Sequence, residues 1–388
     1  MWLKGKHLTL SKDRIEAILL IQLGDIGDVV LSLPCIRALK ENFPKAAVAV
    51  AVLAKAKEII DIFPWADDVI AIEKDDRSPM AAIQYQFDFF KKLRKHQFDL
   101  AIDLRASTRG AVLARLSGAA IRVSYYSTKE TFWRSWVFTH LKPFMPDPNL
   151  HQSLYYQNLL AECGIHVSHR QPEINVPDAS TQKANRLLAR FKIDTDKQLI
   201  AVHPFALWRY KEWPIEKTAD LVHHLTCGTD RTALIIGASS ELKRAQTIVN
   251  RCGGRAINLA GETDLNVLAA ILKQCLLAIG MDSAVGHISA AVGTPCVTIF
   301  GPGKAGVWAP IGNHNRMVHK ELPCIFCGQK GCNGTGRSLC LEELSVEAVL
   351  TAVEAHINTI SSPNRENIKK RSASLENRAA RINSQTET

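Results

Sequence analysis

Residues Ala17–Pro34 read AILLIQLGDIGDVVLSLP. The apolar run Ile18–Leu23 has the character of a strand buried on both faces of a parallel sheet. Gly24, Asp25, Gly27 and Asp28 break it, and a helix-compatible segment begins at Val29. In an open α/β sheet, ligands bind at the carboxyl ends of strands, where such turns lie. A glycine-rich turn that holds two carboxylates suits a catalytic base. It does not suit a dinucleotide, because the G-x-x-G spacing lacks G-x-G-x-x-G and the acids stand where a pyrophosphate would sit. An NAD-dependent oxidoreductase is disfavoured on that ground.

Outward from this turn, strand-like runs alternate with helical patterns, which argues for parallel α/β layers. The first half gives Ala17–Leu23, Ala47–Leu53, Val69–Ile72, Leu100–Leu104 and Ile121–Ser124 as strands. The second half restarts with Leu199–His203, Thr232–Ile236, Ala256–Leu259, Leu276–Gly280 and Cys296–Phe300. Each half opens on a strand that runs into a polar or Gly/Pro turn. Two facing Rossmann-like domains are therefore expected, over 1–170 and 171–360. The linker falls near His166–Pro177, where periodicity fades, and a helix over Val346–Ile360 closes the second domain. Residues 361–388 are rich in Ser, Asn and charge, and read as a disordered basic tail.

With 388 residues the chain is long enough for two cores, and 46% hydrophobic with 22% charged residues is an ordinary globular balance. The formal charge is +10, with the excess in the first half and the tail. That suits an acidic partner, whether anionic lipid, phosphorylated substrate or nucleic acid, and it equally serves solubility. No C2H2 finger or RRM signature occurs, so nucleic acid is not expected. No secretory pattern opens the chain, and the longest uncharged apolar run, Ala46–Leu53, is strand-sized. No membrane span is expected, and the location is expected to be cytoplasmic. Cys35, Cys163, Cys227, Cys252, Cys275 and Cys296 are scattered, several within apolar runs, as in a reducing compartment. Cys324, Cys327, Cys332 and Cys340 cluster at a spacing that admits Zn²⁺. The same spacing also fits a loop packed by reduced thiols or a disulfide.

Two later segments carry chemistry. In Ala201–Pro214, AVHPFALWRYKEWP, a strand ends at His203-Pro204 and Lys211 follows, with Pro214 set for the first turn of a helix. A lysine beside a strand end can meet a diphosphate, although taken alone it reads as a solvated surface residue. In Ile279–Pro302, IGMDSAVGHISAAVGTPCVTIFGP, a strand gives way to Asp282-Ser283 and a helix over Ala284–Val292. Asp282 or Ser283 can cap it, and its N-terminus is a ready anion site. His287 lies in the first turn, where a core or capping histidine is the plainer reading. The match GPGKAG at 301–306 is read as chance, since Pro310 and Gly312 follow where a helix should begin.

On the first half, Arg105, Arg109 and Arg115 follow the strand Leu100–Leu104. Arg105 and Arg109 are four apart, so one helical face would present both to an anionic acceptor, or to water. Tyr125–Phe144 interleaves Phe132, Trp133, Trp136, Phe138 and Phe144 with Lys129, Arg134 and Lys142. That mixture suits a bilayer interface and equally an ordinary packed loop. The adjacent acids Asp67-Asp68 and Asp75-Asp76 read as solvated, and no D-x-D pair stands at a strand end to hold a metal.

In their order along the chain, these segments make the protein similar to glycosyltransferase family 9, the ADP-heptose:lipopolysaccharide heptosyltransferases. The resemblance is carried by LGDIGDVVLSLPCIRALKENFP at 23–44, HPFALWRYKEWP at 203–214 and DSAVGHISAAVGTPCVTIFGP at 282–302. FDLAIDLRASTRGAVLARLSGA at 98–119 and LAGETDLNVLAAIL at 259–272 add to it, and the whole covers residues 15–360. It implies a GT-B fold, two Rossmann-like domains with the active site between them, the nucleotide sugar on the C-terminal one and the acceptor on the N-terminal one. It implies Asp28 as general base, Lys211 at the donor phosphates, and Asp282 near the sugar as the acid of a D-[ST]-G-x-x-H motif. Ser283 and the following N–H groups match the phosphate cradle, and His287 the motif histidine. Glu241, in GASSELKR, matches an acid on the ribose hydroxyls, and Thr263 a loop beside the adenine. The implied reaction is an inverting transfer from ADP-heptose to the lipopolysaccharide inner core, with no cofactor and no metal. The acceptor would be an anionic lipid-linked saccharide, met at the cytoplasmic face of the inner membrane, with peripheral contact to the anionic bilayer. Ala284 departs from the motif glycine, which leaves room for another nucleotide sugar or another surface-polysaccharide acceptor. A non-catalytic GT-B binding module is the third alternative, and Asp28 with Lys211 weighs against it.

Overall fold

The structure, a computed structural model, describes residues 8, 10–73, 79–126, 131–143, 147, 149–253 and 256–360. The first half contributes the strands β1 (Ala17–Gln22), β2 (Ala47–Leu53), β3 (Asp68–Ile72), β4 (Leu100–Asp103), β5 (Ile121–Tyr125) and β6 (His140–Lys142). They form one parallel sheet in the order β3-β2-β1-β4-β5-β6. The second half contributes β7 (Gln198–His203), β8 (Arg231–Ile235), β9 (Ala256–Asn258), β10 (Leu277–Met281), β11 (Cys296–Ile299) and β12 (Asn315–Val318). Their order, β9-β8-β7-β10-β11-β12, repeats the first, and again every pair is parallel. Each sheet thus has the doubly wound arrangement in which the chain reverses direction beside its first strand.

The opening run of the sequence is explained by its place. β1 is central, with Ala17 opposite Ala47 of β2 and Ile18 opposite Leu100 of β4. Ile18, Leu19, Leu20 and Ile21 are all fully buried, so both faces of the strand demand apolar side chains. The expected strands are present, most with ends shifted by a residue. Two strands were not foreseen, β6 and β12, and both are sheet edges. Their sequences, HLK and NRMV, are half-exposed. The other two edges, β3 and β9, hold enough apolar residues to be read from the sequence, whereas HLK and NRMV carry too few to signal a strand.

Helices Pro79–Lys95, Thr108–Leu116 and 131–137 cover one face of the first sheet, over a core that includes Leu19, Ala101, Leu113 and Phe138. Helices Ile26–Asn42 and Gln152–Ala161 cover the other. Ile26–Asn42 also packs on helix Ala284–Ala291 of the second half, so one apolar cluster runs from Val30 to Ile288 across the junction. The connecting segment is pinned there as well, the Ile174 N–H donating to the Ala291 carbonyl at 2.8 Å. The closing helix at 346–360 sets Val349, Val353 and Ile357 into the core of the second sheet.

Of its two readings, an interface or a packed loop, the described part of 125–144 is mainly the second. Phe138 and Arg134 are buried, and Trp133 packs against the core of the first sheet; Trp136 is 72% exposed. Arg134 donates to the Ala106 carbonyl and to Ser124 Oγ, each at 3.0 Å, and lies 3.7 Å from Asp103 Oδ2. A buried guanidinium is tolerated because these groups engage both of its terminal nitrogens. It fixes the turn at Ala106, a left-handed residue (φ 51°) that delivers Arg105 from β4. Lys129, Phe144, the pair Asp75-Asp76 and the tail 361–388 lie outside the described residues, as does the Phe132 side chain.

Candidate functional site

The carboxyl ends of β1, β2 and β4 face those of β7, β8 and β10 across a cavity of about 730 Å³. Asp28 enters it from the first half. It is the third residue of helix Ile26–Asn42, and it is buried, with 7% of the residue exposed. Tyr156 donates its hydroxyl to Oδ1 at 2.6 Å, and the Asp25 N–H donates to Oδ2 at 3.0 Å. Arg105 lies 2.5 Å from the same Oδ2. Tyr156 approaches from the core and Arg105 from the cleft, so the two oxygens differ: Oδ1 is anchored and Oδ2 faces the space where a ligand would enter. Gly24 makes this possible, since a Cβ there would overlap both Asp28 and Arg105. Beside it, Lys55 at the end of β2 pairs with Asp25.

The second half answers with a helix end of the opposite character. Ser283 stands at the N-cap of Ala284–Ala291, yet it makes no side-chain cap; its hydroxyl meets His203 Nδ1 at 3.1 Å instead. No acid lies in the first turn. The first N–H groups of the helix are therefore free of side-chain acceptors and, with the helix dipole, favour an anion. Ala284 is helical and is not one of the residues with positive φ, so its Cβ costs no backbone strain. Lys211 Nζ lies 2.6 Å from Asp282 Oδ2, holding a cation within reach of that helix end. Gly303 passes close by: a Cβ on it would overlap Asp282 and stand 3.6 Å from Lys211 Nζ. Glu241 accepts from the Ala238 N–H at 2.7 Å, and burial pushes its carboxyl above the ordinary value. Thr263 lines the far wall with Leu265 and Leu268.

The two halves touch where Gly27 meets His287. A Cβ on Gly27 would lie 2.9 Å from His287 Cδ2. Burial pushes both His287 and His203 down to about 4, against the upward pull of Asp282 and Asp28 on His287. Both rings are neutral at pH 7, and His287 Nδ1 finds no hydrogen-bond partner among the described residues. His287 shapes the junction and carries no charge into it.

Asp28, Arg105, Lys211, Glu241, Thr263, Asp282, Ser283 and His287 all line this one cavity. Arg109 does not. The helix after β4 begins at Thr108 behind the N-cap Ser107, so Arg105 precedes it and shares no helical face with Arg109. The four late cysteines are not arranged as a metal site: among the described residues no group of three His, Cys, Asp or Glu could hold an ion. Cys324 and Cys327 are exposed, Cys332 is half-buried and Cys340 is buried. Sequence reasoning missed Tyr156, Lys55, His203 as a partner of Ser283, and Gly303. Lys55 and His203 each stand at a strand end, a signal available from the pattern. Tyr156 gave none, being 128 residues from the acid it holds. Gly303 sits in the GPG that was read as chance; it serves by its missing side chain.

The chain matches a sequence model described as glycosyltransferase family 9 (heptosyltransferase) over residues 86–336. A lipopolysaccharide heptosyltransferase 3 of Escherichia coli is 27% identical over 305 residues, which cover 76% of this chain and 88% of that protein. Among solved structures, a family 9 glycosyl transferase of Veillonella parvula superimposes with a TM-score of 0.76 at 20% identity, over 89% of this chain and 97% of the other. An E. coli heptosyltransferase solved with ADP gives 0.69 at 18% identity, over 88% and 99%. Among the described residues no helix is long and apolar enough to cross a membrane.

Proposed function

The chain belongs to glycosyltransferase family 9, and from that premise we propose that it transfers heptose, with inversion, from ADP-heptose to the lipopolysaccharide inner core. It is a glycosyltransferase of GT-B architecture. The single observation that carries the finer reading is the pairing across the cleft. A carboxylate fixed on one half stands opposite an uncapped helix end and a lysine on the other.

In this reading Asp28 Oδ2 takes the proton of the acceptor hydroxyl as that oxygen attacks the anomeric carbon. Arg105 swings from Asp28 to an anionic group of the acceptor, with Arg109 further out along the same route. The departing diphosphate gains charge, which Lys211 and the N–H groups after Ser283 stabilise. Asp282 orients Lys211 and the sugar, Glu241 takes the ribose hydroxyls, and Thr263 borders the adenine. No step runs through a metal or cofactor. The acceptor half is 1–170 and the donor half 171–360, and the enzyme works at the cytoplasmic face of the inner membrane. The relatives' names support this choice of sugar and acceptor.

Thermal-shift measurements with ADP, UDP and NAD, followed by an assay of ADP release from ADP-heptose with a heptose-deficient lipopolysaccharide core, test it. ADP alone is expected to stabilise the protein, and release is expected to need the core acceptor. Stabilisation by UDP alone would replace the donor, and release without dependence on the acceptor would replace the reaction.

A further inference from the structure

We infer that Leu207, Trp208 and Lys330 form a second acceptor subsite at the mouth of the cavity, an apolar platform and a cation for a saccharide ring that carries an anionic group. Leu207 is 68% exposed and Trp208 51%, and both line the same cavity as Asp28 and Arg105. Large apolar side chains held open on the wall of a cleft mark a contact surface for a ligand. A sugar ring suits this surface: its apolar C–H face packs on an indole while its hydroxyls stay in water.

The segment that carries the platform is tied down along its length. The Ala206 N–H donates to Glu212 Oε1 at 3.2 Å, Ser338 Oγ donates to the Tyr210 carbonyl at 2.6 Å, and Lys211 is paired with Asp282. Tyr210 stacks with Trp208, the ring centroids 6.2 Å apart and the planes at 19°. Neither Leu207 nor Trp208 belongs to the packed core of either sheet. Their exposure is therefore built into a fixed loop, which lowers the ordering cost of contact with a ligand.

The order of the second sheet indicates which substrate reaches this platform. Glu241 follows β8 and Thr263 follows β9, at one edge of the sheet, whereas Lys330 lies in the chain after β12, the other edge. Lys330 Nζ is 5.9 Å from the centroid of the Trp208 ring, so the indole stands beside the chain from the edge away from the walls proposed for the nucleoside. Lys330 is exposed and has no ion-pair partner among the described residues, and the same holds for Lys304, the residue after Gly303. The diphosphate has Lys211 and the helix end, which leaves Lys330 for a further anion. A saccharide held at Asp28 and Arg105 by the first half would rest a neighbouring ring on Trp208. The inference rests on the proposed reaction and adds that the second half also binds the acceptor.

Equilibrium binding of a detergent-dispersed, heptose-deficient lipopolysaccharide core in the presence of ADP, with transfer kinetics beside it, tests the subsite. Trp208→Ala is expected to weaken core binding and raise the acceptor KM about tenfold, and Trp208→Phe to restore most of both. Lys330→Ala should raise them about fivefold at low salt and lose the difference at high salt. Both alanine variants should keep the wild-type melting temperature, ADP affinity and donor KM. With phosphatase-treated core, loss of the Lys330→Ala effect identifies the anion as a phosphate and its persistence as a carboxylate; either upholds the subsite. Wild-type failure to bind the core, or equal binding by either folded alanine variant, overturns the inference. So does reduced ADP affinity in either, which would move the platform to the donor. Wild-type turnover with unchanged variants leaves the reading of function standing, whereas core binding that responds to Trp208→Ala without any turnover counts against that reading alone.

Discussion

The two halves of this protein share a strand order and differ in what stands at one helix N-terminus. In the first half, helix Ile26–Asn42 begins with Asp25 at its N-cap and Asp28 in its first turn. Its positive end is already matched by the protein's own carboxylates, and an anionic ligand would meet repulsion there. In the second half, helix Ala284–Ala291 begins with no acid and with its cap hydroxyl turned aside to His203. That end is open to a phosphate. One fold thus yields a half whose helix end is occupied by carboxylates and a half whose helix end is open to an anion. The difference lies in a few side chains at strand ends and not in the architecture.

The contrast is most directly broken at Asp28. Asp28→Asn should lower the rate of ADP release about a thousandfold, as loss of a general base does, while calorimetry finds ADP affinity unchanged. Wild-type turnover in this variant would remove the base from the first half. Next in size, Lys211→Ala should weaken ADP binding by about 2 kcal/mol, the worth of a hydrogen bond to a charged group. An unaltered dissociation constant would detach Lys211 from the donor side.

The junction between the halves gives a third test, through pH. The unfolded His287 titrates near its ordinary 6.5 and the folded one near 4. Between those values the unfolded state binds the extra proton. The stability held above pH 6.5 is therefore lost as pH falls toward 4. Relative to pH 7, the wild type at pH 5 should lose about 2 kcal/mol more than His287→Gln in chemical denaturation. The comparison with the variant matters because Asp103, pushed up to about 6 by burial, acts with opposite sign in both proteins. Parallel pH profiles would show that His287 is not buried in a closed junction. The smallest effect is expected at Tyr156. Tyr156→Phe removes the donor to Asp28 Oδ1 and should cost about 1 kcal/mol in stability and several-fold in turnover. It should leave ADP binding as it was. Reduced ADP affinity would mean that Tyr156 reaches the donor half, against the geometry.

How far the sequence could be read depended on how local the signal was. β1, β2 and the central strands of the second half were legible because burial on both faces writes a continuous apolar run. The edges β6 and β12 were not, since a half-exposed strand can carry His, Lys, Asn or Arg. Ser283 and Asp282 were legible because each follows a strand within a few residues, whereas Glu241 came only through the family resemblance. Arg105 was found for a reason the structure does not support. Its partner is Asp28, 2.5 Å away, and not a second arginine on a shared helical face. Arg134 shows a choice the sequence left open: a basic residue among aromatics fits a surface or a packed loop, and it is buried beneath the loop that carries Arg105.

The sequence by itself determined the layering, the repeat of strand-and-helix units and the kinds of side chain at the strand ends, because these follow from periodicity over a few residues. Only the tertiary structure decided which side chains meet. Tyr156 anchors Asp28, Ser283 turns from its helix toward His203, and Gly27 rests against the ring of His287. Each of these contacts joins residues far apart in the chain. They form when packed cores bring strand ends together, and no local pattern of residues records that packing.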